Sequence, residues 1–276
     1  MQTKCAWTEL LAILPQHMKQ DVDELGRDRL QELRLRYGKP PQLILRGGER
    51  WLTKPVSRAE LTEIIQAASQ YSPWTAASIT QGYITAPGGH RIGLCGEATL
   101  DNGKIKCIQD LTSLCIRVAR DIPMIGEKIP LVGNLLIIGP PGSGKTTMLR
   151  ALSRRIAQSE IICVVDERGE LFPDGFATGK RMDVLRSCPK ASGIEMVLRT
   201  MNPGTIAVDE ITASEDTKAL LSAAWCGVRL MATAHASGVL DLKRRKIYQP
   251  LLEHDLFDTL LVMHGDKSWH MERIGA

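Results

Sequence analysis

The sequence lacks any long apolar run and any recognisable leader segment. No apolar stretch approaches the roughly eighteen residues that span a bilayer, so we expect no membrane-spanning helix. Residues 1–16 have too short an apolar stretch and no small-residue cleavage site, so we expect no secretory signal peptide. These absences predict a cytoplasmic protein that reaches a membrane only through partners.

The sequence also lacks paired cysteines and a strong excess of charge. Its seven cysteines include no Cys-x-x-Cys pair, and two of them, Cys115 and Cys163, lie inside apolar runs. Such thiols are typical of a reducing compartment rather than of a disulfide framework. The 35 basic and 31 acidic residues leave a net charge of +4. This charge is too small and too evenly spread for a nucleic-acid groove, so we expect no nucleic-acid partner.

What the sequence does contain is enough length, at 276 residues, for two modest hydrophobic cores. In the first part, the Gly47–Gly48 and Asp101–Gly103 segments predict hairpins between strand-like runs. Ser57 and Glu60 form a capping box for a helix that reaches about residue 70. The segment DIPMIGEKIPLVGN, with two prolines and two glycines, is the best boundary in the chain. We therefore expect a smaller α+β domain at residues 1–122 and a second domain at residues 123–276.

The second domain alternates strand-like and helix-like segments. NLLIIG, IICVVD, TIAVDE and VRLMATAH are continuous apolar runs of the kind that strands covered on both faces need. Helix-like stretches separate them at about residues 145–158, 195–201 and 215–225. This alternation predicts an α/β fold with a mostly parallel sheet and covering helices.

A Gly-rich segment, GPPGSGKT at residues 139–146, fits the pattern G-x-x-x-x-G-K-[ST] and lies between a predicted strand and a predicted helix. Glycines allow backbone amides to surround phosphates, the lysine neutralises the β and γ oxygens, and the threonine hydroxyl can bind magnesium. The pattern predicts ATP and Mg²⁺ as cofactors. The residues expected to bind the nucleotide are Gly139, Pro140, Pro141, Gly142, Ser143, Gly144, Lys145, Thr146 and Thr147.

Two apolar strands end in the same pair of acids, VVDER at residues 164–168 and IAVDE at residues 206–210. A nucleotide hydrolase needs one acid in the magnesium shell and another that orients or deprotonates the attacking water. IAVDE is the better magnesium strand, because it follows the helix and turn VLRTMNPG and ends at the carboxyl edge of the sheet. We therefore expect Asp209 and Glu210, with Thr146, to bind magnesium. The neighbouring strand would turn Asp166, Glu167 or Glu170 toward the water and the metal.

A further strand-like run, MATAHAS at residues 231–237, ends with Thr233 and His235. Open α/β sheets bind their ligands at the carboxyl ends of the strands. Because the other motifs point to the same edge, we expect His235 to contact or sense the γ-phosphate.

The order GPPGSGKT, VVDERGEL, NPGTIAVDE and MATAHAS resembles that of the secretion ATPases, the hexameric motors of type II and type IV secretion and of pilus retraction. In the first domain, ELRLRYGKPPQLIL, GGHRIGLCGEA and IRVARDIP are similar to a sporulation branch of these motors from endospore-forming bacteria. The resemblance covers nearly the whole chain and identifies the four motifs as Walker A, Asp box, Walker B and His box. It implies that residues 123–276 form a RecA-like P-loop ATPase domain.

The resemblance also implies roles for single residues. Asp166 and Glu167 fall where the Asp box carries its catalytic acid, and their order reverses the more usual Glu-Asp, so both are candidates for positioning the water. Arg91 and Arg117 fall where the motors bring arginines from the amino-terminal domain to the nucleotide, although pairing with local acids is the alternative. The segment after Glu210 lacks the arginine that these motors usually have there.

As a whole, the resemblance implies an ATP-hydrolysing motor that assembles as a homo-hexamer. It would energise the channel complex between mother cell and forespore from the mother-cell cytoplasm, through membrane-embedded sporulation proteins. A nucleotide-gated assembly scaffold with little turnover is one alternative, and a RecA-type nucleic-acid motor is another. The absence of a basic half and of an aromatic stacking platform disfavours the nucleic-acid motor. A small-molecule kinase would need a lid, and no Arg-rich insertion is present.

Overall fold

The computed structural model describes residues 5–69, 82–122, 125–173 and 175–273. The chain divides into two compact units with separate hydrophobic cores. Of the described residues, those between 5 and 121 and those between 173 and 176 belong to the first unit, and those between 122 and 172 and between 177 and 273 belong to the second. Among the helices of the described residues, none combines the length and the apolar composition that a membrane span requires.

The first unit is built on a single antiparallel sheet, with three α-helices and one short 3-10 helix (Pro87–Gly89) in its described residues. Its elements are α1 (Trp7–Ala12), α2 (Gln16–Leu25), β1 (Leu30–Arg36), β2 (Gln42–Leu45), β3 (Gly48–Trp51), α3 (Arg58–Ala68), β4 (Tyr83–Thr85), β5 (Arg91–Asp101) and β6 (Lys104–Arg117). The strands lie in the order β3-β2-β1-β6-β5-β4, and every neighbouring pair is antiparallel.

Short sequence signals explain two features of this unit. The Ser57 hydroxyl accepts the N–H of Glu60 at 3.2 Å, and the Glu60 carboxylate accepts the N–H of Ser57 at 2.8 Å, so the predicted capping box of α3 is confirmed. Asn102 and Gly103 have φ of 48° and 75° between β5 and β6, as a tight hairpin turn requires, so this predicted hairpin is also confirmed. Helix α3 ends at Ala68 with Ser69 as its C-cap, and residue 70, the predicted end of this helix, lies outside the described residues.

The second unit alternates strands and helices along the chain, as predicted. Its elements are β7 (Leu135–Ile138), α4 (Lys145–Ile156), β8 (Ile162–Asp166), β9 (Met182–Arg186), α5 (Lys190–Thr200), β10 (Thr205–Val208), α6 (Ser214–Trp225), β11 (Arg229–Ala234), α7 (Val239–Arg244), α8 (Gln249–Glu253), β12 (Thr259–Met263) and β13 (Trp269–Arg273).

The seven strands of this unit form one sheet in the order β13-β12-β7-β11-β10-β8-β9. All neighbouring pairs are parallel except β12 and β13, so the predicted mostly parallel sheet is confirmed. Alternate residues of β7 enter two different cores: Leu136 and Ile138 pack on one face of the sheet, and Leu135 and Ile137 pack on the other. Burial on both faces explains why these strands are continuous apolar runs.

The register of the sheet brings several strand ends to the same level. Val208 of β10 pairs with Val165 of β8 on one side and with Ala232 of β11 on the other. Ala234 of β11 in turn pairs with Ile138, the last residue of β7. The residues that follow these four parallel strands therefore meet at one edge.

Some elements differ from the prediction. Helix α4 ends at Ile156, two residues before the predicted end, and α5 begins at Lys190 rather than near residue 195. Strands β9, β12 and β13 have no counterpart among the predicted strands. Strands β9 and β13 form the two edges of the sheet and are only partly buried, so they lack the continuous apolar run of a central strand.

Candidate nucleotide-binding site

The Gly-rich loop connects β7 with α4 and has a backbone that favours glycine. Gly142 and Gly144 have φ of 73° and 101°. Gly139 lies so close to β12 that a Cβ atom there would be 2.5 Å from the carbonyl oxygen of Met263. A side chain at these positions would strain or displace the loop. The nine residues predicted to bind the nucleotide, 139–147, form this loop and the first turn of α4.

The loop presents polar groups that an anion would satisfy. Helix α4 begins at Lys145, so the backbone N–H groups of its first turn have no partner within the helix. The Ser143 hydroxyl oxygen is buried and has no hydrogen-bond partner among the described residues. Since buried polar atoms are normally hydrogen-bonded, these groups fit a ligand that carries oxygen acceptors, such as a phosphate.

The Lys145 side chain is almost fully buried in the loop. Its Nζ donates to the carbonyl oxygens of Gly139 at 2.9 Å and Pro140 at 3.0 Å, and it lies 3.2 Å from Nδ1 of His235. Burial lowers the pKa of Lys145, and the nearby acids only partly oppose this effect. An ammonium held by carbonyl oxygens can move to a phosphate that enters the loop.

Asp209 follows β10 and is bonded to two hydroxyl groups. Its Oδ2 accepts a hydrogen bond from Thr146 at 2.8 Å, and its Oδ1 accepts one from Thr233 at 2.5 Å. Burial raises the pKa of Asp209 above its ordinary value. The Thr146 hydroxyl and the Asp209 carboxylate are therefore in direct contact, and both are hard oxygen ligands of the type that Mg²⁺ prefers.

Glu210 adopts a left-handed backbone conformation with φ of 56°, and its N–H donates to the Thr233 hydroxyl at 2.7 Å. Its carboxylate lies 2.9 Å from Nη1 of Arg168 and 3.1 Å from Nε2 of His235. Because Lys145 donates to Nδ1 of His235, the ring proton belongs on Nε2, where it faces Glu210. His235 thus links the lysine of the loop to the second acid of β10.

Asp166, at the end of β8, is 2% exposed and holds the loop that follows it. Its Oδ1 accepts the backbone N–H of Glu170 at 2.9 Å, and its Oδ2 accepts those of Leu171 and Phe172, each at 3.0 Å. Burial raises the pKa of Asp166 despite these bonds. Both carboxylate oxygens are therefore occupied by the protein's own backbone.

Glu167, the next residue, pairs with a lysine that no sequence pattern indicated. Nζ of Lys190 donates to Oε2 of Glu167 and lies 3.6 Å from Oδ2 of Asp216. Lys190 is the first residue of α5, directly after Pro189 and four positions after Arg186, the last residue of β9. The only signal in the sequence was a lysine at the first position of a helix that follows a strand, and this strand, β9, was not predicted.

The structure therefore brings the predicted loop, magnesium and Asp-box residues of the second unit together. A small enclosed space lies between the ends of β8 and β10, and Lys190 and Arg168 are the two basic residues at its wall. The residues that line it are Asp166, Glu167, Arg168, Glu170, Lys190, Asp209 and Glu210.

The two arginines of the first unit lie opposite each other on neighbouring strands. Arg91 of β5 pairs in register with Arg117 of β6. The Arg91 guanidinium lies over the ring of Tyr83, 3.9 Å from its centroid. Nε of Arg117 lies 3.7 Å from Oε1 of Glu32, yet the Arg117 side chain is 64% exposed. The sheet therefore presents two guanidinium groups at one position.

Comparison with solved structures shows the class of fold. The ATPase DotB of Legionella pneumophila is 21% identical, with a TM-score of 0.61 over 94% of this chain and 80% of that one. The pilus retraction motor PilT, solved with bound ADP, is 17% identical, with a TM-score of 0.60 over 89% of this chain and 76% of that one. At these identities the likeness shows the fold alone, a RecA-like fold that this chain shares with those two proteins.

Comparison with sequences shows the family within that class. Residues 6–272 match the family described as Sporulation stage III, protein AA, and the chain belongs to this family. It is 36% identical over 283 residues to the stage III sporulation protein AA of Bacillus subtilis, covering 94% of this chain and 91% of that protein.

Proposed function

We propose that this protein is an Mg²⁺-dependent ATPase. The observation that carries the proposal is the meeting of Lys145, the Thr146–Asp209 pair and His235 at one edge of a parallel sheet. Lysine, hydroxyl and carboxylate are the groups that a triphosphate with its magnesium needs. The likeness in fold to PilT, which was solved with ADP, supports a nucleotide at this edge.

Each group has a separate task in this proposal. The loop amides and Lys145 bind the β- and γ-phosphates, while Thr146, Asp209 and Glu210 supply the oxygen atoms for magnesium. The bound ion would neutralise charge on the phosphate oxygens. His235 would exchange its contact with Lys145 for one with the γ-phosphate when the nucleotide enters.

An acid at the carboxyl end of β8 would orient the attacking water, and Asp166 and Glu167 are the candidates.

The cations that stabilise the transferred phosphoryl group would come from Arg91 and Arg117. We expect Arg91→Ala and Arg117→Ala to lower turnover more than nucleotide binding, because charge on the γ-phosphate oxygens grows in the transition state. Steady-state kinetics together with binding of a fluorescent ADP analogue would measure both effects. Equal losses of binding and turnover would contradict this role.

The wider function follows from the family. We propose a secretion-type motor that assembles as a homo-hexamer in the mother-cell cytoplasm. It would energise the channel between mother cell and forespore by acting on membrane-embedded partners. Membership of a sporulation family and the fold of DotB and PilT support this proposal. A nucleotide-gated scaffold would share the binding site but not the turnover, so hydrolysis is the property that separates the two functions.

The test is the ATPase rate of the full chain as a function of protein concentration. We expect Mg²⁺-dependent turnover that rises more steeply than the protein concentration where the chain assembles. Lys145→Ala should reduce turnover by about a hundredfold or more, because the ammonium that contacts the transferred phosphate is lost. Lys218→Ala, which removes an exposed lysine on α6, is the matched control. Wild-type turnover in Lys145→Ala would contradict the proposal.

A further inference from the structure

Among the described residues near the proposed site, Lys190 is the most deeply buried cation that the proposed mechanism does not use. Its side chain is 3% exposed. The Nζ atom donates to Glu167, lies 3.6 Å from Oδ2 of Asp216 and can donate to the Thr212 hydroxyl at 3.4 Å. Removing an ammonium from water is costly unless such partners replace the solvent. These contacts show that the position of Lys190 is determined by its partners rather than by solvent.

The two carboxylates that face Lys190 are held differently. Oδ2 of Asp216 also accepts the backbone N–H groups of Thr212 at 3.0 Å and Ala213 at 3.1 Å, so it is fixed to the start of α6. Glu167 is 36% exposed and lines the space beside Glu210. Lys190 therefore joins a fixed carboxylate to one that borders the proposed nucleotide site.

The hydrogen bonds of the two carboxylates also distinguish Asp166 from Glu167, the two Asp-box candidates for orienting the water. The carboxylate of Asp166 already accepts three backbone N–H groups, so moving it would break the loop after β8. The Glu167 carboxylate pairs with Lys190 through Oε2, and its other oxygen can accept a hydrogen bond from water. Geometry thus favours Glu167 as the acid that contacts water.

The charge around Glu167 explains why it would need a cation. Five acids line the same space, and a bound triphosphate would add more negative charge. Without Lys190, this repulsion would favour a rotation of Glu167 away from the site, because Arg168, the other basic residue of the wall, pairs with Glu210. A buried ammonium fixed by Asp216 opposes that rotation.

We propose that Lys190 is a positioning residue that holds Glu167 in place as the acid that orients the attacking water. This inference rests on the proposed ATPase function. It assigns Asp166 to holding the loop and Glu167 to the water. Lys190 acts through Glu167 and does not itself contact the nucleotide.

A double-mutant cycle in the full chain tests this role. We expect Glu167→Gln to lower kcat by about a hundredfold or more and Lys190→Met to lower it by about tenfold or more, with nucleotide affinity changed less than about threefold in both. If Lys190 acts through Glu167, adding Lys190→Met to Glu167→Gln should cause no further loss. Lys218→Met is the matched control and should keep the wild-type rate.

Several outcomes would overturn the inference. They are a wild-type rate in Lys190→Met, losses that multiply in the double variant, or a loss of nucleotide binding that accounts for the lower rate. Because Lys190→Met leaves Asp216 without its cation, a second variant combines it with Asp216→Asn, and the same fall in kcat is expected. A wild-type chain that hydrolyses no ATP at any concentration would instead refute the proposed function itself.

Discussion

Strands β8 and β10 lie side by side, and the sequence Val-Asp-Glu stands at the carboxyl end of each, yet the acids have different partners. The first acid of β8, Asp166, accepts three backbone N–H groups. The first acid of β10, Asp209, is bonded to the hydroxyls of Thr146 and Thr233. One carboxylate therefore stabilises a loop, and the other contacts a predicted ligand of magnesium.

The chain that follows each strand explains the difference. After β8, Gly169 turns with φ of 65°, and the side chains of Leu171 and Phe172 are fully buried, which brings their N–H groups to Asp166. After β10, the N–H of Ile211 donates to the carbonyl oxygen of Thr233 at 2.9 Å, so the chain continues beside β11, and the Asp209 carboxylate accepts from side-chain hydroxyls. Identical strand ends thus acquire different chemistry from the residues after them.

The second acids of the two strand ends, Glu167 and Glu210, also have different partners. Glu167 pairs with a buried lysine that belongs to α5. Glu210 lies between Arg168, which comes from the loop after β8, and His235, which follows β11. Arg168 therefore links the two strand ends. Substitutions at the end of β8 and at the end of β10 test whether the acids of these two ends have separate roles.

The largest effect is expected from Asp209→Asn. This change keeps the shape of the side chain but removes the charge beside Thr146, so Mg²⁺-dependent turnover should fall by about a hundredfold or more. Titration of the ATPase rate with Mg²⁺ would measure the loss. Asp183→Asn, on an exposed position of β9, is the matched control. Turnover within about twofold of wild type would contradict the role of Asp209 in magnesium binding.

A smaller effect on turnover, but a clear effect on stability, is expected from Asp166→Asn. An amide has one oxygen, so one of the three backbone N–H groups would face an NH₂ donor instead of an acceptor. The free energy of unfolding should fall by roughly 1–3 kcal/mol, the cost of an unsatisfied buried group. Urea denaturation beside the Asp183→Asn control would measure it. Unchanged stability with abolished turnover would instead assign the water to Asp166.

The smallest effect is expected from Arg168→Met. Arg168 is 43% exposed, and an exposed ion pair contributes roughly 1 kcal/mol or less, so turnover should fall no more than about fivefold. Arg199→Met, which breaks an exposed pair with Glu195 on α5, is the control. A loss of a hundredfold in Arg168→Met would mean that this arginine, rather than Arg91 or Arg117, stabilises the transferred phosphoryl group.

Much of the second unit could be predicted because its signals are local. Burial on both faces makes a central strand a continuous apolar run, and the phosphate loop requires glycines within a short stretch of chain. Parallel pairing then places the ends of β7, β8, β10 and β11 at one edge. The edge strands β9 and β13 lack this signal, because solvent covers part of each.

The sequence by itself determined the loop 139–147, the acidic strand ends and the sheet edge at which they meet, since each depends on nearby residues and on the regular geometry of parallel strands. Only the tertiary structure decided which acid is held by backbone amides and which is paired with Lys190. Lys190 is 23 residues from Glu167 along the chain, and the two meet because β9 packs beside β8 and directs α5 toward that edge. Such a contact depends on the order of strands and on the burial of distant side chains, which no short segment encodes.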